Sequence, residues 1–125
     1  MQMTTRVLSV ALPVADMDAA VAFYVGVLGC EVRYDVEAVP GVRMVEVVPP
    51  GSQVGIVLLP PDSPVPIAVR LGTSDADAAY ARLAATDGVV LHNDEVLRWE
   101  GVPPMFHFSD PQGNSLVYLE TSKPA

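Results

Sequence analysis

Three side chains that can exchange protons or carry charge lie in stretches predicting β-strands: Glu46, Arg70 and His107. Histidine exchanges protons near neutral pH and carboxylates accept them, so His107 and Glu46 are candidates for general acid–base chemistry. With Arg70 they are equally candidates for orienting a bound ligand. A purely structural alternative is that Glu46 and Arg70 form an ion pair at the rim of a sheet while His107 is a hydrogen-bonded wall residue.

The remaining reactive side chains form no recognisable motif. His92 and His107 lie in different predicted strands and give neither a His-x3-His nor a Glu-x-x-His spacing, so they do not by themselves indicate a metal site. The single cysteine, Cys30, excludes an internal disulfide and is predicted to be a buried thiol rather than a nucleophile.

A pattern that occurs twice in the chain would position these residues. Each copy has an aspartate that can cap the start of a helix and a glycine suited to its end. These are Asp16 and Gly29 in the first copy, and Asp75 and Gly88, both 59 positions later, in the second. One copy cannot bury its sheet face alone, whereas two side by side can.

Runs of β-branched and aromatic residues predict the strands of both copies. The predicted elements are strand 7–14, helix 17–28, strands 31–36, 42–48 and 54–59, then strand 66–71, a helix from 75 to about 85, strand 89–92, a loop through Trp99 to residue 104, and a closing hairpin. Each half is therefore β-α-β-β-β. We predict one domain over residues 1–125, with module one over about 5–60, a proline-rich linker over 60–65 and module two over about 66–121.

Two details of these elements are predicted more closely. In the closing hairpin, Asp110 and Asn114 are expected to form the tight turn rather than to act as catalysts, because Asp-Pro-x-Gly-Asn is turn chemistry. On the first helix, Phe23 and Tyr24 are expected to be core residues.

Composition limits the class of protein. Half of the residues are hydrophobic, which disfavours disorder, and the net charge of −8 disfavours binding to nucleic acid. No apolar run approaches the ~20 residues that span a bilayer. The first residues lack the apolar run and cleavage site of a signal peptide. We therefore predict a cytoplasmic protein without membrane or nucleic-acid partners; its acidity would suit a cationic ligand, but net charge is weak grounds for naming one.

The sequence resembles the vicinal oxygen chelate superfamily in three motifs: Leu12-Pro13-Val14-x-Asp16, Ala22-Phe23-Tyr24-x3-Leu28-Gly29 and Asp110-Pro111-x-Gly113-Asn114. Its members include glyoxalases, extradiol dioxygenases, and fosfomycin- and bleomycin-resistance proteins. The resemblance covers nearly the whole chain. It implies an α+β fold in which two βαβββ modules curl a mixed sheet around a shared cavity, paired within one chain or across a homodimer.

The metal-ligand positions of that superfamily hold unsuitable residues here. The resemblance places the ligands at Ser9, at Pro66, at Val117 and in the strand 55–57, which contains no ligand type. A divalent metal needs imidazole, carboxylate, thiolate or amide oxygen ligands. We therefore predict that the chain uses no metal and no cofactor.

Strand alternation, combined with the resemblance, predicts which side chains face the cavity. Val45, Val47, Phe106 and Phe108 are expected on the opposite, core side of the sheet, and Pro66 and Ala68 are expected to share the cavity face with Arg70. The predicted ligand-binding residues are Ser9, Met44, Glu46, Val57, Arg70, Trp99, Met105, His107 and Val117. Trp99 would close over a ligand, or else serve as a surface anchor or dimer contact.

Three functions are consistent with this pattern. The first is a metal-free protein that binds a small hydrophobic or aromatic molecule in an apolar bowl with a few polar groups. The second is a glyoxalase-like lyase or isomerase, or a dioxygenase, that uses an unrecognised metal site or His107 with Glu46. The third is a structural or regulatory module with a vestigial pocket. The expected partners are a small-molecule ligand and a second copy of the chain.

Overall fold

The computed structural model describes residues 5–121 and divides into two compact units. Residues 8–67 form the N-terminal module, and residues 68–121 form the C-terminal module together with residues 5–7, which begin the first strand. Residues 1–4, which carry most of the segment inspected above for a signal peptide, lie outside the described range, as do residues 122–125. No helix in the described range is long and apolar enough to cross a membrane.

The N-terminal module has the predicted β-α-β-β-β order. Its elements are β1 (Thr5–Pro13), α1 (Met17–Gly26), β2 (Glu31–Val39), β3 (Val42–Val48) and β4 (Gly55–Leu59). The strands lie in the order β2-β3-β4-β1, with β1 parallel to β4 and the other neighbours antiparallel.

Helix α1 begins where its capping residue predicts. The Asp16 carboxylate accepts a hydrogen bond from the Ala19 N–H at 3.0 Å, and Gly29 closes the segment with φ of 75°. The prediction that Phe23 is core is wrong, since 48% of it is exposed. Phe23 lies beside the helical stripe that meets the sheet, to which Tyr24 belongs. That stripe covers the buried core residues Cys30, Val45, Val47 and Leu58.

The C-terminal module repeats this plan with one additional strand. Its elements are β5 (Val69–Thr73), α2 (Ala76–Ala84), β6 (Val90–Leu91), β7 (Leu97–Trp99), β8 (Val102–Ser109) and β9 (Ser115–Glu120). The order is β5-β9-β8-β6, with β7 also pairing with β8. Strand β5 is parallel to β9 and the other pairs are antiparallel.

The predicted loop through Trp99 to residue 104 is instead a β-hairpin. Trp99 pairs with Val102 across a tight turn in which Gly101 has φ of 78°. Pro103 and Pro104, on which the prediction of a loop was based, precede Met105, where the pairing of β8 with β9 begins. Strand β8 therefore has β7 alone as its partner over the prolines, and a strand with one open side tolerates residues without an N–H donor.

Strand β5 begins at Val69, three residues later than predicted. Pro66 and Ala68 therefore precede the strand instead of sharing its face with Arg70, which corrects that expectation. Proline cannot donate to a strand ladder, which gives the physical reason for the late start. The module's core lies where the strands predict it, with Phe106 and Phe108 packed against Ala79 of α2.

Candidate functional site

Each module presents one sheet face to its helix and carries the predicted site residues on the other face. Side chains alternate along a strand, so Glu46 points away from its neighbours Val45 and Val47, which pack under α1. His107 likewise points away from Phe106 and Phe108, which pack under α2. The face assignment made from the sequence therefore holds within each module.

On the N-terminal module, the central group of this face is a buried carboxylate. Glu46 is only 5% exposed and forms an ion pair with Arg33 of the adjacent strand β2. The register between β2 and β3 shifts between Val32 and Tyr34, which is a bulge at Arg33. In a bulge two residues of one strand oppose one residue of its partner, so Arg33 and Tyr34 both lie opposite Glu46.

The glutamate lies directly over a glycine. A Cβ atom added to Gly55 would come within 2.2 Å of the Glu46 carboxylate, so the strand position beneath the carboxylate requires glycine. Ser9 pairs with Gly55, and Val57 pairs with Glu46. Met44 lies two residues from Glu46 and therefore on the same face. This module thus gathers four predicted site residues on one face: Ser9, Met44, Glu46 and Val57.

On the C-terminal module, register aligns the predicted residues across the sheet. Arg70 pairs with Val117 of β9, and Val117 pairs with His107 of β8. Paired residues share a face, so these three form one row. Met105 lies two residues before His107 on the same face.

His107 is accompanied by residues that the sequence did not single out. Its ring stacks on His92 with centroids 4.3 Å apart. The Nε2 atoms form hydrogen bonds to two serine hydroxyls, His92 to Ser109 at 2.7 Å and His107 to Ser115 at 3.2 Å. The His107 backbone N–H also donates to the Asn93 side chain at 2.7 Å.

The surroundings of His107 favour its neutral form. Burial lowers the pKa of His107 below its usual value, and electrostatic interaction with His92 lowers it further. A neutral imidazole can accept a proton or donate a hydrogen bond at neutral pH, but it carries no charge for an ion pair.

Trp99 lies on β7, beside β8, and is 56% exposed. Its neighbour Leu97 pairs with Met105. An exposed indole next to the site strand is available as a contact for an aromatic ligand.

The residues at the superfamily's metal-ligand positions do not fit a divalent metal. Ser9 offers a hydroxyl, while Pro66 and Val117 offer no side-chain donor. Across residues 5–121, no group of three or more His, Cys, Asp or Glu side chains comes together. No chemical step is therefore derived through a metal.

Sequence reasoning did not predict Arg33, His92, Ser109 and Ser115 as residues of the candidate site. Only the two serines had a usable signal, since Ser109 and Ser115 flank the closing turn and pair with each other there. Arg33 depends on the register between β2 and β3, and His92 depends on the pairing of β6 with β8; neither leaves a clear mark in the sequence.

Comparison with known proteins places this geometry in context. The family model described as Glyoxalase/Bleomycin resistance protein/Dioxygenase superfamily matches residues 6–118. None of the curated proteins compared with the chain matches it.

Solved structures share the fold. A hypothetical protein from Bacillus halodurans C-125 is 19% identical with a TM-score of 0.78, covering 98% of both chains. Methylmalonyl-CoA epimerase from Mycobacterium tuberculosis is 23% identical with a TM-score of 0.75, covering 94% of this chain and 88% of its own. An antibiotic-binding protein from Streptomyces sp. CB03234 is 30% identical, covers 94% of this chain and 96% of its own, and has a TM-score of 0.41. The first two likenesses show a shared α+β fold, and the matched family model identifies that fold as glyoxalase-like.

Proposed function

The chain belongs to the Glyoxalase/Bleomycin resistance protein/Dioxygenase superfamily, and from that premise we propose that it binds a small hydrophobic or aromatic molecule without a metal ion. The observation that carries the proposal is the helix-free sheet face of the C-terminal module. There the apolar Met105 and Val117 lie beside the polar His107 and its serine partner Ser115. Apolar surface with a few placed polar groups is the usual composition of a ligand site.

The side chains available as ligands support a binding site that uses no metal ion. A proline and a valine stand where the resemblance places metal ligands, and the ion pair with Arg33 already engages the buried Glu46. Metal analysis of protein purified without chelator tests this part. We expect no zinc, nickel, manganese or iron in stoichiometric amount, and one metal ion per chain would contradict the metal-free assignment.

Ligand binding itself is tested by thermal unfolding with a panel of aromatic compounds, metabolites and antibiotics. A compound that binds only the native state at a hundredfold excess over its Kd adds about 2.7 kcal/mol to stability. We expect at least one compound to raise Tm, by the same amount with and without EDTA. A panel without any stabilising compound would favour the vestigial module instead.

A second candidate is metal-free acid–base catalysis, which the hydrogen bond between His107 and Ser115 favours. A neutral His107 is able to accept a proton from a bound substrate at neutral pH. Turnover of a stabilising compound, lost in His107→Asn while binding persists, would establish the enzyme. Binding without conversion supports the first proposal.

The predicted homodimer stays a prediction. Strand β2 is an edge strand of its module's sheet, and its side chains Val32, Val36 and Val39 are exposed. Exposed edge strands with apolar side chains are natural pairing sites. Light scattering is the measurement, and a mass near 13.3 kDa would contradict the dimer.

A further inference from the structure

A row of residues crosses the sheet of the C-terminal module on the face opposite α2. Arg70 pairs with Val117, Val117 pairs with His107, and the His92 N–H donates to the His107 carbonyl at 2.9 Å. The row therefore runs over four adjacent chain segments. Neighbouring strands lie about 4.8 Å apart, so the backbones of Arg70 and His107 are separated by roughly 10 Å, which a small ligand can bridge.

The next row along the strands supplies hydroxyl groups. Ser109 and Ser115 pair with each other across β8 and β9, and each forms a hydrogen bond with one imidazole of the histidine pair. A hydroxyl hydrogen rotates, so each serine can donate to the imidazole or turn toward a ligand. Hydroxyl, imidazole and guanidinium groups are thus concentrated in one region of the face.

The guanidinium, imidazole and hydroxyl groups of this face can all donate hydrogen bonds to an anion, although the net charge of the protein is −8. We infer that this face binds an otherwise apolar ligand, with the ligand's carboxylate at the Arg70 end of the row and the rest of the ligand extending toward His107 and Ser115; this inference rests on the proposed small-molecule function. Val117 is the apolar residue between the charged and polar ends of the row, and 7% of it is exposed.

The charge of the row fits a carboxylate better than a phosphate. Arg70 carries one permanent positive charge, while the imidazole of His107 is held toward its neutral form by burial. One fixed charge balances a singly charged carboxylate, and the planar guanidinium can donate to both of its oxygens. A dianionic phosphate in the same place would keep an uncompensated charge.

Arg70 does not need to give up other contacts to act in this way. A guanidinium has five N–H donors in a planar fork, so it can hold a protein partner and a carboxylate together. Its place on β5 also fixes the end of the row at which the ligand's charge is bound.

Calorimetric titration of the full chain with three matched probes tests the inference: 2-naphthoate, the neutral 2-naphthamide and 2-naphthyl phosphate. We expect the carboxylate to bind about tenfold tighter than the amide, the effect of one charge-assisted hydrogen bond, and tighter than the phosphate. Added salt should weaken binding of the carboxylate and leave the amide unchanged.

The variants Arg70→Met and Arg82→Met separate the specific effect of Arg70 on binding from the general effect of removing one positive charge. Arg82 is an exposed arginine on α2 of the same module, and its loss should keep the preference for the carboxylate, whereas Arg70→Met should abolish it. If Arg70→Met unfolds, Arg70→Lys replaces it and should retain a weakened preference. The wild-type probe comparison also stands without any variant.

The outcomes distinguish failure of the carboxylate site from failure of small-molecule binding in general. Equal binding of naphthoate and naphthamide overturns the carboxylate site while leaving small-molecule binding intact. If the phosphate binds more tightly than the carboxylate, the assignment of the ligand's anionic group as a carboxylate is overturned. Failure of all three probes to bind counts against the proposed function for aromatic ligands, and the inference fails with it.

Discussion

Replacing Gly55 by alanine should destabilise the protein through one identifiable contact. The added Cβ would lie 2.2 Å from Glu46 Oε2, 2.7 Å from Cδ and 2.8 Å from Cγ. The contacts include the Cγ atom near the root of the side chain, so the whole glutamate has to move. Glu46 is buried on the sheet and paired with Arg33, so it cannot move without losing that pair.

Two costs add when Glu46 moves. Overpacking a filled site costs about 1–3 kcal/mol, and a hydrogen bond to a charged group contributes about 1.5–3 kcal/mol. Because the Arg33 side chain is 46% exposed, water recovers part of the second cost. We therefore expect Gly55→Ala to lower the free energy of unfolding by about 3 kcal/mol.

A double-mutant cycle isolates this contact. In a Glu46→Ala background the obstacle is absent, and Gly55→Ala should be neutral or stabilise by up to about 1 kcal/mol through the unfolded chain. Urea unfolding with constant m-values gives the four stabilities. Gly26→Ala is the matched control, because no atom beyond its chain neighbours and its own helical backbone lies within 4 Å of the added Cβ. Equal costs of Gly55→Ala in both backgrounds would refute the reasoning.

Three further predictions use the same unfolding measurement. Phe106→Ala should cost about 3–5 kcal/mol because Phe106 is 0% exposed, whereas Phe23→Ala should cost far less because Phe23 is 48% exposed; comparable losses would contradict the assigned core. Stability should fall as pH drops below about 6.5, since burial lowers the pKa of His107 in the folded state and the unfolded chain then binds the proton more readily. That slope should diminish in His107→Asn, with NMR titration of the wild-type imidazole as the direct check. Asp75→Ala should cost about 1 kcal/mol, because its carboxylate accepts the Ala78 N–H at 3.0 Å, and an unchanged stability would show that the cap contributes nothing.

The local elements of this protein follow closely from its sequence. Both helix caps, Asp16 and Asp75, accept the N–H three residues ahead, as their positions predict. The two glycines 59 positions apart, Gly29 and Gly88, both adopt positive φ. In the closing turn, Asp110 accepts backbone N–H groups from Gln112 and Asn114. Such features depend on residues a few positions apart, so their chemistry is readable without tertiary structure.

The faces of the strands were also predictable, because alternation depends on the sequence alone. Glu46 and His107 lie opposite the residues that pack under the helices, as the hydrophobic pattern requires. The exposure of Phe23 was not predictable in the same way. Helix α1 is apolar on several sides, and which side meets the sheet depends on how the helix sits on the strands.

The identity of the site's partners came from tertiary structure alone. Arg33 reaches Glu46 because β2 pairs with β3 in the register that sets Arg33 and Tyr34 opposite it, and His92 stacks on His107 because its segment pairs with β8. Register and bulges are decided by which strands meet and at what offset, over separations that local propensity does not record. The sequence determined which chemical groups lie on the helix-free faces, and the fold decided which of them touch, since contact between strands is a property of long-range pairing.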